Sequence, residues 1–222
     1  MVTVLKLVVA FVLAGQAGAP AHVSFPTEDS GTVSADVYGH GNRGVVLVHG
    51  GRFTKDSWAK QARVLADAGY KVVAIDLRGF GESRGPGHED IYTAPHHLDV
   101  LAAVRYLRLS GATSVAVVGG SLGGGAASNA AIQRPADIDR VVLLAAEIEK
   151  PEQLRTPALF IVARDDTSGD GPRLPRIRAA YEKVPAPKEL IIVDGNAHAQ
   201  FLFETDQAER VMREILRFLS AR

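Results

Sequence analysis

The chain has no cysteine. Disulfide bonds, zinc–thiolate sites and cysteine nucleophiles are thereby excluded, and so is a lipid-modified cysteine at a leader cleavage site. It has no surplus of either charge: Lys plus Arg and Asp plus Glu each number 25 among 222 residues. No broad field therefore favours nucleic acid or an anionic membrane surface, and substrate selection has to be local. It also has no linker, repeat or low-complexity segment that would divide it. One domain is expected, with a core to match, because 46% of the residues are apolar and 23% charged.

The first residues, "MVTVLKLVVAFVLAGQAGAPAHV", have the pattern of an export leader. Lys6 precedes an apolar run from Leu7 to Gly15, too short for a comfortable membrane span, and Ala19-Pro20-Ala21 fits the small-x-small cleavage rule. Residues 1–21 are expected to be a signal peptide cut after Ala21, with residues 22–222 forming the mature domain in the periplasm or medium.

Downstream, short apolar and β-branched runs alternate with helical spacings. "HVSFPT" and "GTVSADVYG" suggest two strands joined by a polar turn. "GVVLVHGG", "KVVAIDLRG", "SVAVVG", "RVVLLAA", "ALFIVA" and "KELIIVDG" read as buried strands. The helical segments are "DSWAKQARVLADAGY", which Asp56 or Ser57 can cap and Gly69 can end, "PHHLDVLAAVRYLRLSG", "SLGGGAASNAAIQ", "PRIRAAYEKV" and "TDQAERVMREILRFLSAR". Continuous strands of this kind, alternating with helices, form a parallel sheet covered on both faces. Functional groups in such a sheet collect at the carboxyl ends of the strands.

One of those ends carries Gly119-Gly120-Ser121-Leu122-Gly123, a G-x-S-x-G pentapeptide between a buried strand and a helix. A serine at this turn takes a strained backbone, its flanking residues must be small, and its hydroxyl stands clear of the sheet near helix-terminal N–H donors. The competing reading is a dinucleotide loop, because Gly119-x-x-x-Gly123-x-Gly125 has the spacing of short-chain dehydrogenases. That loop should follow the first strand, and the chain lacks Tyr-x-x-x-Lys at every one of its five tyrosines.

A serine hydroxyl needs a base. Of the seven histidines, His198 in "VDGNAHAQF" follows the last strand, at the edge where Ser121 is expected. His22, His40, His88, His96 and His97 fall in other segments, and His49 in "VHGG" is expected to be a structural hydrogen-bonding residue. An acid must hold the base. "ALFIVARDDTSG" offers Asp165 and Asp166, and pattern alone leaves both open. The N–H groups of Gly51 and Leu122 are candidates for an oxyanion hole, and Arg52 beside them is a candidate for a substrate carboxylate.

With "HGGRF", "DLRGFGES", "GGSLGG", "ARDD" and "GNAH" in this order, the chain resembles the α/β-hydrolase family over essentially its whole post-leader length. The resemblance implies a mostly parallel eight-stranded sheet with helices on both faces. It favours Asp166, placed three residues after Ala163 as in a family Gly-x-x-Asp pattern. An aspartate nucleophile, as in epoxide hydrolases and haloalkane dehalogenases, is contradicted by Ser121. Only a short connection with two prolines separates "RVVLLAA" from "ALFIVA", so no cap domain is expected and the site should be open, as in small carboxylesterases and dienelactone-hydrolase-like enzymes. The expectation is a serine hydrolase with no cofactor and no metal. Its partner is a small acyl substrate, without nucleic acid and without stable membrane association once the leader is gone. A non-catalytic binding module on the same fold is the alternative from another class; a thioesterase, peptidase or acyltransferase is the alternative among enzymes.

Overall fold

A computed structural model describes residues 19–221. The expected leader lies outside them except for Ala19, Pro20 and Ala21. Ala21 is the first residue of β1 (Ala21–Pro26) and pairs with Val37, so the expected cut falls just inside the first strand.

The remaining strands are β2 (Thr32–Tyr38), β3 (Arg43–Val48), β4 (Tyr70–Ile75), β5 (Ser114–Gly120), β6 (Arg140–Leu144), β7 (Ala158–Ala163), the two-residue β8 (Thr167–Ser168) and β9 (Gly171–Pro172), and β10 (Lys188–Val193). Eight of them form one sheet in the order β1-β2-β4-β3-β5-β6-β7-β10, while β8 and β9 make a separate small hairpin. In the large sheet β1 and β2 are antiparallel to their neighbours and all other pairs are parallel.

Period-two alternation divides the central strands between two helical layers. Val46, Val48, Val73, Ile75 and Val117 pack with Leu107 of α2 (His96–Leu109), Ala127 of α3 (Leu122–Gln133) and Ile177 of α4 (Arg173–Lys183). Val45, Leu47, Val72, Ala74 and Val118 point the other way. They pack with Leu65 of α1 (Ala59–Asp67) and with Ile215 and Phe218 of α5 (Ala208–Ser220). Burial on both faces is why these strands read as unbroken apolar runs.

Two helix starts differ from the sequence expectation. α1 is preceded by a 3-10 turn, Lys55–Trp58, and neither Asp56 nor Ser57 caps it. The Ser57 hydroxyl instead donates to the Thr54 carbonyl at 2.7 Å, which tightens the turn. A second 3-10 segment, Ala199–Glu204, fills the space before α5, and Thr205 Oγ1 accepts the Gln207 N–H at 3.1 Å. Gly69 does end α1, with φ +86°.

The expected absence of a cap holds: between β6 and β7 the chain makes only one 3-10 turn, Pro151–Gln153. Among the described residues, no helix is long and apolar enough to cross a membrane.

Candidate active site

Ser121 sits between β5 and α3 with φ +50° and ψ −115°. A side-chain-bearing residue in that region costs on the order of 1–3 kcal/mol and persists only where its surroundings enforce it. Here the Ser121 N–H donates to the Leu144 carbonyl at 2.9 Å, and the Ser121 carbonyl accepts from Gly124 and Gly125. The neighbours have to be glycine. A Cβ at Gly119 would lie 2.3 Å from the Gly123 carbonyl oxygen, and one at Gly123 would lie 2.5 Å from the carbonyl oxygens of Val48 and His49.

The structure brings Ser121, His198 and Asp166 together. Ser121 Oγ is 2.8 Å from His198 Nε2, and His198 Nδ1 is 2.8 Å from Asp166 Oδ2. With Asp166 as acceptor, Nδ1 carries the proton and Nε2 is free to accept from the serine hydroxyl. Asp166 is 1% exposed, whereas Asp165 faces solvent and only its backbone is engaged, donating to the Gly195 carbonyl at 2.9 Å. Of the two aspartates, Asp166 is the one whose side chain lies against His198.

His198 arrives through a tight turn after β10. Gly195 has φ +94° and Ala199 has φ +51°, a left-handed residue buried beneath the site. Asp166 follows β7 directly. The β8–β9 hairpin then returns the chain so that the Arg173 N–H donates to the Asp166 carbonyl at 2.9 Å. The Arg173 guanidinium lies 3.5 Å from Asp166 Oδ1 and donates to Glu147 at 2.9 Å. Arg176, on the same carboxylate, is the main reason that the Glu147 pKa falls below the usual range.

The oxyanion candidates flank Ser121. The Leu122 N–H opens α3 and has no partner within the helix. Gly51 lies beside it: a Cβ there would sit 3.7 Å from Leu122 Cδ2. The preceding N–H, of Gly50, is committed to Gln200 Oε1 at 3.0 Å. His49 has the expected structural place. It is fully buried, donates from Nδ1 to the Gly50 carbonyl at 2.8 Å and accepts the Leu77 N–H at Nε2, while burial holds its pKa below the ordinary value.

Two cavities open on Ser121. One, of ≈ 470 Å³, is walled by Gly51, Arg52, Phe53, Ser168 and Phe201, with the Phe53 and Phe201 rings 5.0 Å apart and tilted by 59°. The other, of ≈ 600 Å³, is bordered by His97, Leu122, Asn129, Glu147 and Glu149. Burial, and then the Arg78 charge, lower the pKa of His97. Tyr92 and Arg173 belong to both cavities. Among the described residues, no group of three His, Asp or Glu side chains is placed to hold a metal ion.

A family profile described as the alpha/beta hydrolase fold matches residues 44–183, more than half of the chain. The chain belongs to the α/β-hydrolase family. An esterase from Pyrococcus furiosus superposes on this α/β-hydrolase with a TM-score of 0.75 over 90% of this chain and 91% of its own, at 19% identity. A dienelactone hydrolase from Anabaena variabilis gives 0.71 over 90% and 97%, at 22% identity. An epoxide hydrolase from Caballeronia sordidicola is 36% identical over 92 residues, which are 41% of this chain and 27% of that protein. The match thus spans about a quarter of that relative's length.

The sequence points to the three hydrogen-bonded residues and to the glycine loop after β3 of this α/β-hydrolase. It does not point to Tyr92, Arg173 or Gln200. Tyr92 lies in a turn, Arg173 is the first residue of α4 and Gln200 lies in a 3-10 turn, and no local periodicity marks their approach to the site.

Proposed function

We propose that the protein is an exported serine hydrolase that cleaves an ester, or a similar acyl bond, of a small substrate. The observation that carries this reading is the unbroken hydrogen-bonded chain Ser121–His198–Asp166 at the mouth of two cavities. Ser121 Oγ attacks the substrate carbonyl while His198 Nε2 takes the serine proton. Asp166 holds the ring in the required tautomer and stabilises the imidazolium. The N–H groups of Gly51 and Leu122 receive the negative charge that develops on the carbonyl oxygen. Collapse of the tetrahedral species expels the alcohol, which takes the proton from His198. Water, deprotonated by His198, then attacks the acyl-enzyme, and the acid leaves with Ser121 restored.

No acidic side chain lines the Arg52 cavity, whereas Glu147 and Glu149 line the other. This asymmetry supports Arg52 as a substrate-binding residue that favours an acyl or alcohol portion carrying a negative group on its side. Residues 1–21 supply the export signal, and the mature domain works without stable membrane association.

The test is a hydrolysis panel of p-nitrophenyl esters, thioesters and lactones on the mature protein, with Ser121→Ala as control. Ester turnover dependent on Ser121 is expected. No turnover, together with no fluorophosphonate labelling of Ser121, would favour a binding module.

A further inference from the structure

Two residues beyond His198, a buried glutamine connects the histidine loop to the oxyanion loop. Gln200 is 4% exposed. Its Oε1 accepts the Gly50 N–H at 3.0 Å, and its Nε2 donates to Ser57 Oγ at 3.0 Å. Ser57 Oγ in turn donates to the Thr54 carbonyl, and the Gly50 carbonyl accepts the Phe53 N–H at 3.1 Å. The loop from Gly50 to Ser57 is therefore gripped at both ends by one carboxamide. An N–H only donates, so the amide oxygen must face Gly50 and the amide nitrogen the hydroxyl, and the orientation is fully specified.

The same oxygen packs under the nucleophile. A Cβ at Gly120 would lie 2.5 Å from Gln200 Oε1, and one at Gly50 would lie 3.1 Å from it and 3.4 Å from Ser121 Cβ. Gln200 is carried into this wedge by Ala199, whose left-handed backbone turns the chain straight after His198.

We infer that Gln200 is a positioning residue for the oxyanion hole: by binding the Gly50 N–H it withdraws that donor from the site and aims the next one, of Gly51, at the substrate oxygen. The inference rests on the serine-hydrolase reading. Hydrogen bonds that act on developing charge lose much of their effect when donors are misplaced by about 1 Å, and removal of one donor costs roughly a hundred- to a thousandfold in kcat. Loosening the loop should cost less than removal, because Gly51 remains present.

The experiment compares wild type with Gln200→Met, which keeps the side-chain length and removes both hydrogen bonds. Three quantities are read: kcat and KM on a p-nitrophenyl ester, and the inhibition constant of an alkylboronic acid, whose tetrahedral adduct on Ser121 places an oxygen in the hole. The expected result is a kcat loss of roughly ten- to a hundredfold, KM within about threefold, and weakening of the boronate parallel to the kcat loss. A purely structural role would not weaken the boronate selectively. If Gln200→Met fails to fold, as judged by thermal unfolding, Ser57→Ala carries the same test, with at least a threefold weakening of the boronate expected. An unchanged kcat and boronate constant in the folded variant overturns the inference alone. Wild type that neither turns over esters nor labels at Ser121 with a fluorophosphonate overturns the serine-hydrolase reading, and this inference with it.

Discussion

His198 Nε2 meets Ser121 Oγ at 2.8 Å across 77 positions of sequence and across two intervening strands, β6 and β7. With neighbouring strands about 4.8 Å apart, β5 and β10 are separated by roughly 14 Å. A side chain cannot close that gap from a strand end. The loop after β10 closes it, turning at Gly195 and Ala199 so that the ring reaches back over the sheet edge. Asp166, from β7, stands along that path and holds the ring from behind.

Replacing Ser121 with alanine should abolish turnover and leave the fold intact. Alanine keeps the Cβ that the strained turn already accommodates, and only the nucleophile disappears. The expected loss is on the order of a million-fold, as in a serine protease triad. Turnover of the ester panel and the thermal unfolding midpoint check it; retention of more than a few per cent of activity contradicts Ser121 as nucleophile.

Asp166→Asn should damage the enzyme far more than Asp165→Asn. An amide in place of Asp166 disturbs the histidine tautomer, which costs roughly ten-thousand-fold in a serine protease. Asp165 is exposed and contributes a backbone contact that asparagine retains. The ratio of the two kcat values decides the matter, and a reversed order would move the acid to Asp165.

Acyl-chain preference should follow from the missing cap. Burying each further methylene is worth about 0.8 kcal/mol, close to fourfold in rate constant, only while there is apolar wall to bury it against. The connection from β6 to β7 provides no such wall, and the exposed Tyr92 is the side chain that the Gly79–Pro95 loop leans over both cavities. kcat/KM on p-nitrophenyl esters should peak at acyl chains of roughly two to six carbons and then level or fall, without a jump at the micellar threshold. A steady rise through twelve carbons would reveal a covering element.

The acid limb of stability should depend on Asp29. Its carboxylate accepts from both terminal nitrogens of the fully buried Arg78, which also binds Asp99, tying the β1–β2 turn to α2. The Arg78 hydrogen bonds, aided by Thr27, lower the Asp29 pKa from 3.8 to about 2. A depressed carboxylate contributes stability that is present above the unfolded value and lost as pH falls through the folded one. The stability difference between wild type and Asp29→Asn should therefore be largest above pH 4 and shrink towards pH 2. Urea midpoints of both proteins at pH 6, 4, 3 and 2 test this; a difference that stays constant with pH contradicts it.

Much of this molecule can be read from its residues in order. The apolar runs around Val46, Val73, Val117 and Val142 mark the central strands because burial on both faces leaves no other composition. Gly119 and Gly123 mark the elbow around Ser121 because no side chain fits there. The late position of His198 marks it as the partner because parallel strands deliver their ends to one edge. Three-dimensional packing was needed wherever neighbours in sequence part company in space. Asp165 and Asp166 are alike as letters, yet one is solvated and the other sealed against His198. Ser57 looks like a helix cap but serves a carboxamide 143 residues away. Gln200 and Arg173 are held at the site by partners distant in sequence, Gly50 and Ser57 for the one and Glu147 for the other. Local patterns report which side of an element is buried; they carry no information on which distant group is waiting there.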